Sequence, residues 1–346
     1  MSAAGGWPRW WLRRGWLARG LLPLGLLFAG AVALRRLAWR SRWLRPWRAP
    51  VPVVVVGNLT AGGSGKTPVV AYLADALRAA GWTPGIVSRG YRRRRGGPDP
   101  LPVLADSAPA EVGDEPLLLR RLCACPVWVG RRRARAASEL LRAHPEVDVL
   151  LSDDGLQHLA LARDIELVVC DARGAGNGWP LPAGPLREGW TRARDATLGP
   201  PTARASSPQP FFALRRAPGE LRNLADARRL DPASFAAMHR DGAVSAAAAI
   251  GDPQQFFDML RSAGVALQRT ATAPDHSALP ESLLRELPGS VLLTEKDALK
   301  CTVAQPGRQR LWAVALRLEI DPGFVPWLLQ RLRRTVSRPS DGFTSA

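Results

Sequence analysis

The stretch "GNLTAGGSGKTP" (57–68) places a lysine and a hydroxyl side by side behind a run of glycines. That is the chemistry of a phosphate loop, G-x-x-x-x-G-K-[ST]: backbone N–H groups cradle an anion, the lysine reaches the β- and γ-phosphates, and the hydroxyl binds Mg²⁺. Counted back from Gly65-Lys66-Thr67, the first glycine falls at position 60, where Thr60 stands. The mismatch lies at the loop's entrance, and Gly62, Gly63 and Gly65 still allow the backbone to turn its N–H groups inward. The nucleotide-binding candidates are therefore Thr60, Ala61, Gly62, Gly63, Ser64, Gly65, Lys66 and Thr67.

A phosphate loop needs a carboxylate on a neighbouring strand. "VDVLLSDDGLQH" (147–158) offers Asp153 and Asp154 at the carboxyl end of an apolar run, where open α/β sheets bind ligands. With Thr67 they form the expected Mg²⁺ set. "IVSRGYRRRR" (86–95) reads as another strand entering a basic loop, and "VGDEP" (112–116) sets Asp114 and Glu115 where the next helix opens.

These residues require a particular frame. Val53–Val56 is a β-branched run suited to a buried parallel strand, and "VVAYLADALRAAG" continues as an amphipathic helix ended by Gly81. Pro68 suits a first helical turn. The fold class is α/β: a P-loop NTPase-like parallel-sheet domain, a smaller α/β domain and an N-terminal membrane-associated helix. The expected boundaries are 1–49 for the membrane-anchoring segment, 50–198 for the nucleotide domain and 199–240 for a linker. Within that linker a β-hairpin would turn at Pro218-Gly219. Residues 241–330 form the second domain, with strands at 244–250 and 291–294 around a helix at 253–263, and 331–346 is a tail.

The bulk properties narrow the partners. The chain has 346 residues and a net charge of +18, nearly all arginine, with lysine only at positions 66, 296 and 300. This excess favours an anionic partner, although an arginine bias throughout a chain also follows from base composition. Residues 1–50 contain no acid and seven of the thirteen tryptophans. Their uncharged run, "GLLPLGLLFAGAVAL" (20–34), is fifteen residues long. A span needs about 20, so with arginine and tryptophan on both flanks an interfacial anchor is favoured over a span. Cys123, Cys125, Cys170 and Cys301 lack zinc spacing and read as reduced thiols in a cytosolic setting. His144, His158 and His239 read as structural, His158 being the one nearest to the expected chemistry.

Taken in order, "GNLTAGGSGKTP", "SRGYRR", "VGDEP" and "DDGLQH" resemble the tetraacyldisaccharide 4′-kinase family, the lipid A 4′-kinases of Gram-negative bacteria. "RDIELVVCDA", "GNGWPLPAGPLRE" (176–188), "AAAIGDPQQFFDMLRSAG" (247–264), "PDHSAL" (274–279) and "LLTEKDALK" (292–300) are similar to its later blocks, so the resemblance runs from roughly residue 15 to 335. The family carries Thr or Ser where Thr60 stands. The resemblance implies ATP-dependent phosphorylation of the 4′-hydroxyl of a tetraacylated glucosamine disaccharide 1-phosphate, giving lipid IV-A, at the cytoplasmic face of the inner membrane. By position it implies Asp114 as general base, His276 as its partner, Arg187 near the transferred phosphate and Glu115 as a further acid. Lys66 supplies charge to the phosphates. The family's two adjacent histidines are here His276 and Ser277.

The chemistry asks for these parts independently. A sugar hydroxyl is a poor nucleophile near neutral pH, so a carboxylate must take its proton, and an imidazole can orient that carboxylate. The expected cofactors are ATP and Mg²⁺. The expected partners are the lipid disaccharide and the inner-membrane surface, without nucleic acid, and the chain is expected to be monomeric. The substrate is expected between the domains, and removing residues 1–48 is expected to spare ATP binding while slowing turnover on vesicles. Two rivals remain at this point. One is a GTPase-like metallochaperone or related ligase, for which "TEKD" (294–297) offers a superficial guanine-reading signature. The other is a membrane-associated nucleic-acid-binding protein, suggested by charge alone.

Overall fold

The computed structural model describes residues 7–41, 43–62, 65–91, 93, 97, 99–240, 242–275, 277–301 and 307–336. The chain forms two compact units. One comprises Arg14–Leu214 with Ile320–Ala346, and the other comprises Met1–Arg13 with Arg215–Glu319.

The larger unit opens with α1 (Trp16–Arg40) and continues through β1 (Val53–Gly57), α2 (Lys66–Ala79), β2 (Pro84–Ser88), β3 (Leu101–Pro102), α3 (Pro109–Val112), α4 (Asp114–Leu122), β4 (Val127–Val129), α5 (Arg133–Ala143), β5 (Val149–Asp153), β6 (Ile165–Val169) and β7 (Ala196–Gly199) to the first four residues of β8 (Phe211–Asn223), whose remainder belongs to the smaller unit. The strand order is β8-β7-β6-β1-β5-β2-β4-β3. Every neighbouring pair is parallel except β3 against β4. The β1, β2 and β5 strands are buried at every position. Helices on both faces of a parallel sheet require that, and each of the four valines of β1 contributes about 1.5–3 kcal/mol by its burial. The order places β1 beside β5, so the loop after β1 and the acids ending β5 emerge together at the carboxyl edge.

The smaller unit adds β9 (Arg229–Leu230), α6 (Pro232–Met238), β10 (Val244–Ala248), α7 (Pro253–Ser262), β11 (Arg269–Thr272), α8 (Glu281–Glu286), β12 (Ser290–Thr294), α9 (Glu295–Ala298) and β13 (Leu311–Ile320). Its β11-β10-β12-β13 strands are parallel. The last helix among the described residues is α10 (Phe324–Val336), which belongs to the larger unit and sets Phe324 and Trp327 against Phe212.

Three expectations from the sequence differ from what is seen. The segment 199–240 is not a linker. A short 3-10 turn at Pro201–Ser206 joins β7 to β8 inside the larger unit, and β8, β9 and α6 follow. No turn occurs at Pro218-Gly219, because β8 runs straight through it. Gly219 lies where an added Cβ would come within 3.3 Å of the Ala315 backbone of β13, so its small size serves strand packing. The reversal comes at residues 224–228, where Asn223 Oδ1 accepts from Ala225 N–H at 2.8 Å, and Leu221 then pairs with Leu230. Finally, residues 331–336 are helical, with Leu332 buried, because α10 is amphipathic; residues 337–346 lie outside the described residues.

The α1 helix is 25 residues long and includes Pro23. Mean hydropathy reaches 1.9 over its most apolar window, of which 11% is buried, so by length and composition it could cross a bilayer. Leu24, Leu26, Leu27, Leu34 and Leu37 are exposed, whereas Ala18 and Gly25 are buried. At Gly25 an added Cβ would lie 3.1 Å from the Pro180 carbonyl oxygen and 3.3 Å from Ala183 Cβ. Gly25→Leu should therefore unseat α1 although leucine is the better helix former. Stability to urea should fall by about 1–3 kcal/mol, and limited proteolysis within residues 14–48 should accelerate. Unchanged values for both would place α1 elsewhere.

Candidate active site

The loop after β1 is shaped by backbone pairing before any ligand is considered. Thr60 forms an antiparallel bridge with Leu186. Arg187 N–H donates to the Leu59 carbonyl at 2.7 Å, and Ala61 N–H donates to that of Pro185 at 2.8 Å. Position 60 thus has extended backbone that any residue can adopt, and a glycine is not needed there. Buried Asn58 donates from Nδ2 to the Gly62 carbonyl at 3.1 Å, tying the loop to itself. Gly62 (φ 97°) and Gly65 (φ 74°) take left-handed conformations, where glycine is favoured. Gly65 caps α2, which begins at Lys66 and keeps Thr67 buried, so the helix N-terminus faces the loop. Gly63 and Ser64 lie outside the described residues.

The strand β5 delivers Asp153 as its last residue, and Asp154 follows at φ 48°. That backbone is rarely adopted outside glycine, though aspartate tolerates it better than most. Asp154 stands between two cations, its Oδ1 at 3.6 Å from Lys66 Nζ and its Oδ2 at 3.6 Å from an Arg187 guanidinium nitrogen. Burial alone would raise its pKa, but Lys66 and Arg187, with Arg133 and His158, outweigh that and lower it. Asp153 is almost fully buried. Its Oδ2 accepts from Ser88 Oγ at 3.2 Å, while Oδ1 has no hydrogen-bond partner among the described residues. Burial first, then Glu115 and Asp154, push its carboxyl up to about 7 against Lys66 and Arg133.

Glycines also position Asp114 and Glu115. Gly113 (φ 94°) separates α3 from α4, and a Cβ there would meet the Tyr91 carbonyl oxygen at 2.9 Å; one on Gly90 would meet that of Val112 at 3.0 Å. The "SRGYRR" and "VGDEP" segments therefore pass backbone to backbone. Asp114 and Glu115 form the first turn of α4, a favourable place for acids, and Glu115 is close enough to act on Asp153. His276 lies outside the described residues, in the chain segment of the smaller unit.

Four further residues stand out. Arg133 is buried beneath the acids and donates to the Asp153 carbonyl at 3.2 Å and to that of Gly130 at 3.0 Å. It looks like one more member of a solvated run, "RRRARAAS", until the fold buries it. Gln157 and Glu188 sit inside quoted motifs but are masked there by more reactive neighbours. His158 is driven down to about 3 by burial and then by Arg133 and Arg89, so its imidazole is neutral near pH 7.

The residues suit Mg²⁺ held together with a nucleotide. Among the described residues no cluster of three or more His, Cys, Asp and Glu forms a self-sufficient cage. Mg²⁺ commonly uses one or two carboxylates and completes its shell from phosphates and water. The open Oδ1 of Asp153, with acids on two sides, fits that role, and Thr67 supplies a hydroxyl. "TEKD" does not fit a guanine reader. Asp297 is buried in the smaller unit, accepts from Thr294 Oγ1 at 2.7 Å and from Ala249 N–H at 3.2 Å, and so serves local structure.

The raised Asp153 carboxyl gives a signed expectation. Its folded value lies above the ordinary 3.8, so the protonated form stabilises the ligand-free protein. That contribution is complete below about pH 4 and is lost as pH rises through about 7. Asp153→Asn should flatten this decline in thermal melts of the ligand-free protein, and Mg²⁺ with ATP should stabilise wild type more at pH 8 than at pH 6. Matching slopes in variant and wild type would remove the buried acid as the cause.

Known proteins resemble this chain along nearly its whole length. The family described as Tetraacyldisaccharide-1-P 4′-kinase matches residues 17–333. The tetraacyldisaccharide 4′-kinase of Dechloromonas aromatica is 45% identical over 310 residues, 88% of this chain and 90% of its own. That of a Janthinobacterium species is 46% identical over 330 residues, 93% of this chain and 94% of its own. Among solved structures, LpxK from Aquifex aeolicus in complex with ATP is 27% identical, with a TM-score of 0.74 over 91% of this chain and 99% of that one.

Proposed function

The chain belongs to the tetraacyldisaccharide 4′-kinase family, and from that premise we propose that it transfers the γ-phosphate of ATP to the 4′-hydroxyl of a tetraacylated glucosamine disaccharide 1-phosphate in lipid A biosynthesis. The observation that carries the reading is Asp154 held between Lys66 and Arg187 at the mouth of the loop. With a nucleotide bound, the two cations would face its terminal phosphates, and the acid holds them in place beforehand. Such preorganised charge is the main catalytic resource in phosphoryl transfer.

The step is an in-line displacement. The 4′-oxygen forms a bond to the γ-phosphorus, the bond to the β–γ bridging oxygen breaks, and ADP leaves with that electron pair. The hydroxyl proton passes to a carboxylate, which we assign to Asp114, with His276 orienting it. Glu115 acts beside Asp153 as a second acid, and Gly62 to Thr67 receive the nucleotide phosphates. Mg²⁺, held by Thr67, Asp153 and Asp154, would neutralise phosphate charge. The acceptor's four acyl chains keep it in a bilayer, so α1, with its exposed leucines and flanking arginines, is proposed to hold a monomeric enzyme at the cytoplasmic face of the inner membrane.

The test is transfer of labelled phosphate from ATP to the lipid disaccharide. Asp114→Ala and His276→Ala should each lose about 10²–10⁴ in rate while still binding ATP. Near-normal transfer would remove either residue from the mechanism, and transfer to no lipid acceptor would sink the reading as a whole.

A further inference from the structure

The α1 helix touches the phosphate loop through a short polar chain. Arg36, four residues from the helix's end, places a guanidinium nitrogen 3.2 Å from Glu188 Oε2. Glu188 is buried, its side chain only 4% exposed, and it also faces Arg192 Nε at 3.0 Å. These are close ion pairs without well-aligned hydrogen bonds at Oε2. Its other oxygen accepts from Gln157 Nε2 at 3.2 Å, and the same nitrogen donates to the Asn58 carbonyl at 3.2 Å. Asn58 in turn holds the Gly62 carbonyl. Arg35 adds a second tie, donating to the Gln157 carbonyl at 3.1 Å.

From this geometry we infer that α1 is more than an anchor: through Arg36, Glu188, Gln157 and Asn58 it sets the shape of the phosphate loop, so the seating of the helix governs affinity for ATP. Glu188 is the hub because a carboxylate in a dry site fixes its partners strongly and tolerates the loss of one poorly. Glu188 is adjacent to Arg187, and Gln157 lies three residues beyond Asp154. A shift of α1 therefore moves the frame of both the loop and the residues facing the transferred phosphate. Arg36 and Glu188 are positioning residues, since neither would touch the nucleotide. The inference rests on the reading of the loop as an ATP site. It departs from an anchor-only role, in which ATP binding is indifferent to residues 1–48.

The experiment uses the full chain in detergent micelles, where membrane attraction is removed. ATP binding and the kinetic constants are measured for wild type, Arg36→Met, Arg36→Lys, Glu188→Gln and the Arg36→Met/Glu188→Gln double variant. Arg40→Met serves as control: it removes the same charge from the same helix at a residue outside this chain of contacts. Arg36→Met should raise Kd and KM for ATP by roughly three- to tenfold, inside the roughly two- to thirtyfold span open to a residue on a contiguous coupling network. Arg40→Met should leave both unchanged, Arg36→Lys should recover most of the loss, and the double variant should fall short of additivity. If Glu188→Gln does not fold, the three arginine variants decide the matter alone. Arg36→Met matching Arg40→Met, or altering only the KM for lipid, would overturn the coupling while leaving the kinase reading intact. Wild type that binds no ATP would overturn both.

Discussion

One backbone pairing underlies the arrangement of the site: Thr60 bridged to Leu186, with hydrogen bonds on either side. Without a partner strand, the Leu59 carbonyl and the Ala61 N–H would lose their partners, at a cost of about 1–3 kcal/mol for each group left buried and unsatisfied. Pairing them with residues 185–187 satisfies those groups and closes one side of the loop. It also delivers Arg187 opposite Lys66, because the side chain following a bridged residue must leave on the other face. Gly184 belongs to the same device. An added Cβ there would collide with Asn177 Oδ1 and the Trp179 carbonyl oxygen, so only glycine lets the 179–188 segment fold back far enough to make the bridge.

Charge balance is the second constraint, and it follows from the first. Lys66 and Arg187 would repel each other if brought together alone. Asp154 between them, at about equal distance from each, offsets that repulsion. Asp153 presents the opposite problem, an acid in a dry site beside two others, only partly relieved by Lys66 and Arg133. Neighbouring carboxyls, one lowered and one raised, thus stand in different settings: Asp154 among cationic side chains, Asp153 in a dry site whose open oxygen fits the share in holding Mg²⁺ proposed for it together with Asp154 and Thr67.

Much of this was legible in the sequence, because phosphate chemistry leaves local marks. The valine run, the glycine-lysine-threonine junction and the paired aspartates lie close to the elements they predict, and strand, loop and helix occur where the pattern sets them. What escaped was set by contacts distant in the chain. Arg133 reads as surface charge, and only the packing of α5 against β2 and β4 buries it. Glu188 and Gln157 meet across thirty-one residues. Pro218-Gly219 carries a turn signal, yet the close approach of β13 at Ala315 makes glycine a packing choice there, and the reversal falls to Asn223, whose side chain can cap it. The sequence also assigned residues 1–49 to one segment, whereas Met1–Arg13 groups with the smaller unit and residues from Arg14 onward with the larger.

The same long-range contacts bear on how α1 meets a bilayer. Hydropathy alone cannot distinguish a helix that crosses from one that lies flat, since 25 residues suffice for either. The contacts along its length favour the interfacial seating proposed for it. Near its start, Arg14 donates from Nε to the Asn177 carbonyl at 2.9 Å and lies over the Trp179 ring. Near its middle, Gly25 rests against Pro180, and near its end Arg35 and Arg36 reach Gln157 and Glu188. All of these partners belong to one folded unit. A helix crossing the hydrocarbon would have to give up the contacts of its middle and of one end, exposing a buried carboxylate. A helix lying in the interface keeps all of them and still turns its leucines outward. The proposed seating by Arg36 and the interfacial reading therefore draw on the same contacts, and displacement of α1 into the bilayer would disturb the ATP loop.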